Sequence, residues 1–402
     1  MLPRALHPRR GRTTCGPLLI LGVLLSLALS LSPADTFAQS DPESPALDAV
    51  PTPVGMPDAA MFDRRYRSRQ ALPAEEGTLR WRTGVGVPIV GPLAFLWPQD
   101  RPGWYVSWSV QPAEGYRPFP DAASLRMDAP EYRRLGMEFV PLVKMLDGRL
   151  YHAPADLTTM AANNPGRTWI IGNEPDVAWQ DNTTAADYAR AYHDAYHAIK
   201  AGDPTAQVAI GAVSQVTPLR LTYLNRIWES YSNEYGEPMP VDVWTMHAYV
   251  LREELGNWGV GIPPGFEYVT RGVLWEIEDH DNLELVENQI RLMRSWMARH
   301  EQRDKPLWVT EYGILLPPEY GYDQARIADF MVDSFALFDT LRHARLGMPA
   351  DDDRLVQRWS WFSAYYEPFP NGDLFDADGL PTPLMKTLRD ILAEAQSQAT
   401  PR

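Results

Sequence analysis

The chain has 402 residues, 52 acidic against 37 basic side chains, a formal charge of −15, 45% hydrophobic residues and a single cysteine. So acidic a surface argues against nucleic acid or an anionic membrane as partner. One thiol rules out a disulfide framework within the chain, so the fold must rest on its own core.

In chain order, residues 1–38 read as an export leader. Arg4, Arg9, Arg10 and Arg12 precede an apolar run from Pro17 to about Leu31, and Thr36-Phe37-Ala38 suits cleavage. That run is short for a membrane span of roughly 20 residues, which leaves an uncleaved N-terminal anchor as the lesser alternative. Cys15 lies ahead of the run. Removing the leader leaves 364 residues and moves the charge from −15 to −18, since four Arg and one Asp go with it. The expectation is a secreted or extracytoplasmic protein. Residues 39–74 are rich in Pro, Ala, Asp and Ser without apolar period and read as a flexible linker. The remainder, 75–398, has the length of one large α/β domain.

Within it, short β-rich runs recur at Thr83–Val90, Trp104–Val110, Met137–Val143, Thr168–Ile171, Val208–Val213, Val241–Ala248, Leu307–Thr310 and Arg358–Ala364. Helical period follows in the second half. Tyr188, Tyr192, Ala195, Tyr196 and Ile199 share a face, as do Val286, Ile290, Met293 and Trp296, and then Ile327, Phe330, Met331, Phe338 and Leu341. A last helix carries Leu384, Leu388, Ile391 and Leu392. Eight strands with following helices predict a single (β/α)8 TIM barrel. The gap between the first two runs leaves little room for a helix, and the first strand is the least regular element. The segment after the sixth run, about Leu251–Asn282, is long and holds Trp258, Phe266, Tyr268 and Trp275, as expected of an insertion at a barrel mouth.

Two of these runs end in a carboxylate: Thr168-Trp-Ile-Ile-Gly-Asn-Glu174-Pro and Leu307-Trp-Val-Thr-Glu311-Tyr-Gly. Asn-Glu-Pro alone is ordinary turn chemistry. On a barrel, however, Glu174 and Glu311 would both stand at the C-terminal ends of strands four and seven, facing one cleft. Glycosidic cleavage needs such a pair, one group to protonate the leaving oxygen and another to offer electrons to the anomeric carbon or to activate water.

The combination "FVPLV", "IIGNEPD", "MHAY" and "LWVTEYG" resembles the clan A glycoside hydrolases, the 4/7 superfamily, and within it the compact glucanase branch that includes endo-β-1,3-glucanases. The resemblance spans roughly Thr83–Glu394. It implies a retaining β-glycoside hydrolase acting on a β-linked oligo- or polysaccharide, with Glu174 as acid/base and Glu311 as nucleophile. It also implies that Asn173 holds the sugar 2-hydroxyl and that His247 and Tyr249 orient the nucleophile or hold substrate. No metal or organic cofactor is called for, and a monomer is expected. Alternating tryptophans supply candidate sugar platforms, Trp361 with Trp359 on strand eight and Trp108 with Trp104 on strand two, because pyranose faces stack on aromatic rings. Trp361 is the first candidate for the subsite at the cleaved bond.

The chain also departs from that pattern. Arg82 stands at the wrong end of strand one for the arginine that clan members often place near the nucleophile, and Lys144-Met145 follow "FVPLV" where the compact branch has Trp-Gly. A catalytically inactive carbohydrate-binding barrel is the alternative reading. His193 and His197, at i and i+4, mimic a zinc-protease helix, but Asp194 replaces its glutamate and the tyrosine stripe claims the buried face. Asn371–Gly379 resembles a calcium loop without the closing glutamate and reads as a turn-rich loop.

Overall fold

The β-rich runs form strands, most of them shorter than their apolar stretches. The computed structural model describes residues 74–87, 101–110 and 136–399. The leader, Cys15, the linker up to residue 73 and the first candidate strand from residue 88 lie outside the described residues. The strands are β1 Thr83–Gly86, β2 Trp104–Val106, β3 Glu138–Val140, β4 Leu142–Val143, β5 Met145–Leu146, β6 Arg149–Leu150, β7 Thr168–Ile171, β8 Gln207–Ile210, β9 Trp244–His247, β10 Leu307–Tyr312 and β11 Arg358–Trp361.

Six of them make one curled, all-parallel sheet in the order β3-β2-β1-β11-β10-β9. A second parallel sheet runs β4-β7-β8, and β5-β6 is a small antiparallel hairpin. Pro141 separates β3 from β4, since proline has no N–H for a ladder. Its carbonyl nonetheless accepts from Ile170 N at 2.9 Å, and Leu142 N donates to Ser109 O at 3.0 Å, so one extended run touches both sheets. At the other margins, Asp242 N donates to Val208 O at 3.0 Å and Ile210 N to Val243 O at 3.2 Å, between β8 and the residues that lead into β9.

Seven α-helices are described: α1 Leu79–Arg82, α2 Pro154–Asn163, α3 Ala185–Gly202, α4 Pro218–Tyr235, α5 Leu283–Arg299, α6 Gln324–Thr340 and α7 Pro383–Ala399. Side chains of Thr184, Thr217, Asn282 and Asp323 cap α3 to α6, each worth about 1 kcal/mol. Burial outweighs this. On α6 alone Ile327, Phe330, Met331, Phe335 and Phe338 are buried, at roughly 1.5–3 kcal/mol per large side chain. The stripes expected on α3, α5, α6 and α7 face the core. Helices α2 and α4 lie outside the stripes read from the sequence. The former buries only Leu157, Met160 and Ala161, and the buried face of the latter begins with an arginine, Arg220.

Strand alternation sorts the apolar residues into two layers. Tyr105, Trp169, Ile171, Trp244, Met246, Leu307, Val309, Trp359 and Trp361 join the large core shared with the helices. Trp104, Val106, Val140, Leu142, Ile170, Ala209, Val243 and Trp308 fill the opposite, inner face. The Arg358 guanidinium closes that inner cluster at the strand N-termini. It lies 4.9 Å over the Trp104 ring and 4.8 Å over Trp308, and pairs with Glu138 at 2.7 Å. Among the described residues no helix is long and apolar enough to cross a membrane.

Candidate active site

Above the inner cluster, at the C-terminal ends of the strands, the side chains become polar. Glu174 follows β7 by three residues in a left-handed conformation, φ 46°, which is uncommon outside glycine. The turn is tied on both sides. Glu174 N donates to Ala212 O at 3.0 Å, Val177 N closes the turn onto Glu174 O at 3.0 Å, and Asn173 N donates to the buried Asp181 carboxylate at 2.6 Å. Burial pushes Asp181 up to about 8, against the opposing effect of the Asn173 and Met145 amides and of Lys144. Asn-Glu-Pro is therefore turn chemistry that also aims a carboxylate.

Glu311 reaches the same place by a different device. Val309 faces the helices, so strict alternation would send Glu311 outward too. A register shift in β10, between Val309 and Glu311 against β9 and between Val309 and Tyr312 against β11, interrupts the alternation. The carboxylate joins the inner face beside His247, while Tyr312 takes the outward position against Phe330, Phe338 and Trp361. Bulges of this kind commonly re-aim side chains beside active sites.

Each glutamate has an oxygen that, with one His247 nitrogen, forms a trio within 4.8 Å of one another; among the described residues no other trio of His, Cys, Asp or Glu converges so closely. His247 bridges the two. Its Nδ1 is 2.9 Å from Glu174 Oε1 and its Nε2 is 3.4 Å from Glu311 Oε1. Glu311 also accepts from Trp108 Nε1 at 2.5 Å and from the Tyr249 hydroxyl at 3.3 Å. Glu174, His247, Tyr249 and Glu311 are all buried.

Burial pushes Glu311 up to about 7; the Glu174 charge adds to this, while His247, Trp108 and Tyr249 oppose it. Burial works against a charged His247, yet the two glutamates, with Asp176, outweigh it and raise its pKa. Burial and the Glu311 charge hold the Tyr249 hydroxyl protonated. The cluster can therefore keep and relocate a proton near neutrality, which is the requirement for acid/base work.

Of the residues anticipated from sequence, Glu174, Glu311, His247, Tyr249 and Trp108 meet here, and Asn173 stands beside them, buried. Trp361 does not. It is fully buried in the core shared with the helices, packs against Tyr312 and Phe330, and donates its indole N–H to Gly372 O at 2.7 Å. Trp359 lies on the same outward face, and Trp104 fills the inner cluster. Alternation placed Trp359 and Trp361 together correctly, but on the side away from the carboxylates. The mouth position on that strand is the next residue, Phe362, whose ring meets Trp108 at 5.5 Å and Tyr249 at 6.4 Å. Around it gather Val177, Leu251, Trp258 and Val260, with Trp179, Tyr366 and Phe369 half-buried at the edge. No sequence signal marked Phe362, because an aromatic run "RWSWFSAYY" offers both faces equally.

Among the described residues no arginine pairs with Glu311. Arg82 pairs with Asp351 at 2.7 Å, at the far end of the strands; the nitrogens beside Glu311 are the Trp108 indole and His247 Nε2. His193 stacks on Tyr235 and lies 3.0 Å from the Tyr231 hydroxyl, so its environment is aromatic. In the loop after β11, Asn371 donates to Leu316 O and Tyr322 O, and Asp376 accepts from the amides of Asp378 and Leu380, as a turn-rich loop does.

These features agree with what the chain resembles. Residues 283–388, which include Glu311, match the family described as glycosyl hydrolase catalytic core. The fold is similar to that of a GH128 subgroup II endo-β-1,3-glucanase from Pseudomonas viridiflava, at TM-score 0.50 and 18% identity over 77% of this chain and 96% of that one. A second subgroup II endo-β-1,3-glucanase, from Sorangium cellulosum, aligns at TM-score 0.49 and 19% identity over 77% and 97% of the two chains. A subgroup I endo-β-1,3-glucanase from Amycolatopsis mediterranei, solved with laminarihexaose, aligns at 0.47 and 17% over 77% and 98%. No curated protein matches the sequence. The resemblance to clan A glycoside hydrolases drawn from the motifs thus holds at the level of the glycosyl hydrolase core and of a shared α/β fold with a curled parallel sheet.

Proposed function

We propose that this chain is an exported β-glucan hydrolase that cleaves by double displacement with retention, on a (β/α)8 barrel. The observation that carries the reading is the approach of one Glu174 oxygen and one Glu311 oxygen to within 4.8 Å. A retaining pair stands about 5–5.5 Å apart, whereas inversion needs about 6.5–9.5 Å to seat a water. The barrel reading is supported by the backbone bonds that link Leu142 of β4 to Ser109 beyond β2, Ile170 of β7 to Pro141, and β8 to the entry of β9.

The number of donors around each carboxylate supports the assignment of the two roles. Glu311 faces the Trp108 indole, the Tyr249 hydroxyl and His247 Nε2, three groups that favour an anion and so a nucleophile. Glu174 faces His247 Nδ1. When Nε2 carries its hydrogen toward Glu311, a single further proton sits either on Nδ1 or on Glu174, and it moves between them along one 2.9 Å hydrogen bond. That proton is the one the leaving oxygen needs. Glu311 would attack the anomeric carbon while Glu174 protonates the departing sugar; Glu174 would then take a proton from water as that water displaces Glu311.

The half-buried aromatics Trp108, Trp179, Tyr366 and Phe369 are the proposed sugar platforms, in place of Trp361. The substrate assigned is a β-1,3-linked glucan, the polymer named for the Pseudomonas viridiflava enzyme whose fold this chain shares. Incubation with β-1,3-, β-1,4- and mixed-linkage glucans, mannan and xylan should release reducing ends from the β-1,3-glucan, and Glu311→Ala should release none. Sugar-dependent heat protection without product would instead favour a carbohydrate-binding barrel.

A further inference from the structure

The loop that bears Glu174 is joined to the opposite wall of the mouth by a buried ion network that the chemistry above does not use. Arg220, in the first turn of α4, is fully buried between two fully buried carboxylates, Asp176 and Glu253. Asp176 lies two residues beyond Glu174. Its carboxylate accepts from Ser214 N at 3.1 Å, Ser214 Oγ at 2.7 Å and Arg220 Nε at 2.6 Å.

Glu253 lies four residues beyond Tyr249. It accepts from Arg220 Nη1 and from the Thr217 hydroxyl at 2.7 Å, and its second oxygen takes Val273 N at 2.8 Å. Arg220 Nη2 extends to the carbonyls of Val260 at 3.2 Å and Gly261 at 3.4 Å. Segment 251–273 is folded back on itself around Glu253, whose backbone exchanges bonds with Val273 and Gly272. Its Trp258 and Val260 share an apolar cluster with Val177, on the Glu174 loop.

One cation thus holds both ends of a two-part assembly: the acid/base loop on one side, and the segment that forms the wall of the mouth on the other. Burying an arginine and two carboxylates costs several kcal/mol per ion in desolvation, offset only by close pairing, so the network forms whole or opens whole. We propose that Arg220 is a positioning residue that makes the Glu174 loop and segment 251–273 a single mechanical unit, so that an order-to-disorder change in one is felt by the other. A chain of sugars held against the wall would then steady the acid. This rests on Glu174 being the acid/base.

Two readouts test it on the full chain with Glu253→Gln, which keeps the shape of the side chain and removes its charge, and with Arg220→Lys beside it. In hydrogen exchange, Glu253→Gln should speed amide exchange about tenfold, a 1.4 kcal/mol change in local opening, in 252–261 and also in 173–177, with α6 unchanged. Faster exchange confined to 252–273 overturns the proposal. In kinetics, the variant should lose kcat on a β-1,3-gluco-oligosaccharide by about tenfold. On the dinitrophenyl glycoside of the same sugar, whose leaving group departs without a proton, it should lose little. An equal loss on both substrates, or a change in KM alone, contradicts a role in placing the acid. A wild-type chain inert on both substrates refutes the proposed hydrolase, while the exchange result still decides whether the two segments are coupled.

Discussion

Replacing Trp108 by Phe tests how Glu311 is held. Phenylalanine keeps most of the ring contact with Phe362 but removes the indole N–H, which lies 2.5 Å from Glu311 Oε1. A hydrogen bond to a charged group is worth about 1.5–3 kcal/mol, and each pKa unit corresponds to about 1.4 kcal/mol. The donor favours the ionised form, so its loss should raise the Glu311 pKa by about one to two units. Burial has already pushed that carboxyl up to about 7.

A nucleophile must be ionised, so the kcat/KM of the wild type should fall below about pH 7, by about tenfold per unit. In Trp108→Phe that acid limb should move to about pH 8–9, measured as initial rates of reducing-end release on a β-1,3-gluco-oligosaccharide. An unmoved limb would show that the indole does not govern the charge of Glu311. A kcat/KM that instead falls as pH rises through 7 would make Glu311 the acid and reverse the two roles.

Other consequences follow from the same geometry. Glu311→Gln should abolish turnover yet stabilise the fold at alkaline pH. Because the folded-state pKa lies above the unfolded one, the stability this carboxyl contributes is present below about pH 4.5 and lost as pH rises through about 7, at most about 3 kcal/mol. Thermal unfolding should therefore separate variant from wild type at pH 8 and not at pH 4. Glu174→Ala should lose about 100-fold or more on oligosaccharides but much less on a dinitrophenyl glycoside, and azide should accelerate the second step. Trp361→Ala should cost about 3–5 kcal/mol of stability, read by denaturant unfolding. Phe362→Ala should chiefly raise KM with a smaller loss of stability.

What the sequence disclosed, and what it withheld, follow from how local each cause is. Thr168–Ile171 and the helix stripes of Tyr188 and Ile327 are set by nearest neighbours, and they form where expected. The paired glutamates were legible for the same reason, since each ends an apolar run. The device that aims Glu311, a register shift in β10, is invisible in a string of residues. Strict alternation from Val309 would have turned the side chain away.

Trp361 shows the converse. Its spacing from Trp359 is right, but spacing alone cannot tell the inner face of a curled sheet from the outer. The Asp176–Arg220–Glu253 network escaped because its members are separated by 44 and 33 positions and are drawn together only by the fold. The one sequence hint was an arginine at the head of an amphipathic helix, where solvent exposure is the default expectation.

Double displacement requires Glu311 to attack the anomeric carbon itself, with no water between the two carboxyl groups. Proton NMR of the first anomer released from a β-1,3-gluco-oligosaccharide tests it directly, before mutarotation mixes the products. With retention the β-anomer appears first. An α-anomer as the initial product would require water between the two carboxyl groups and contradict the mechanism.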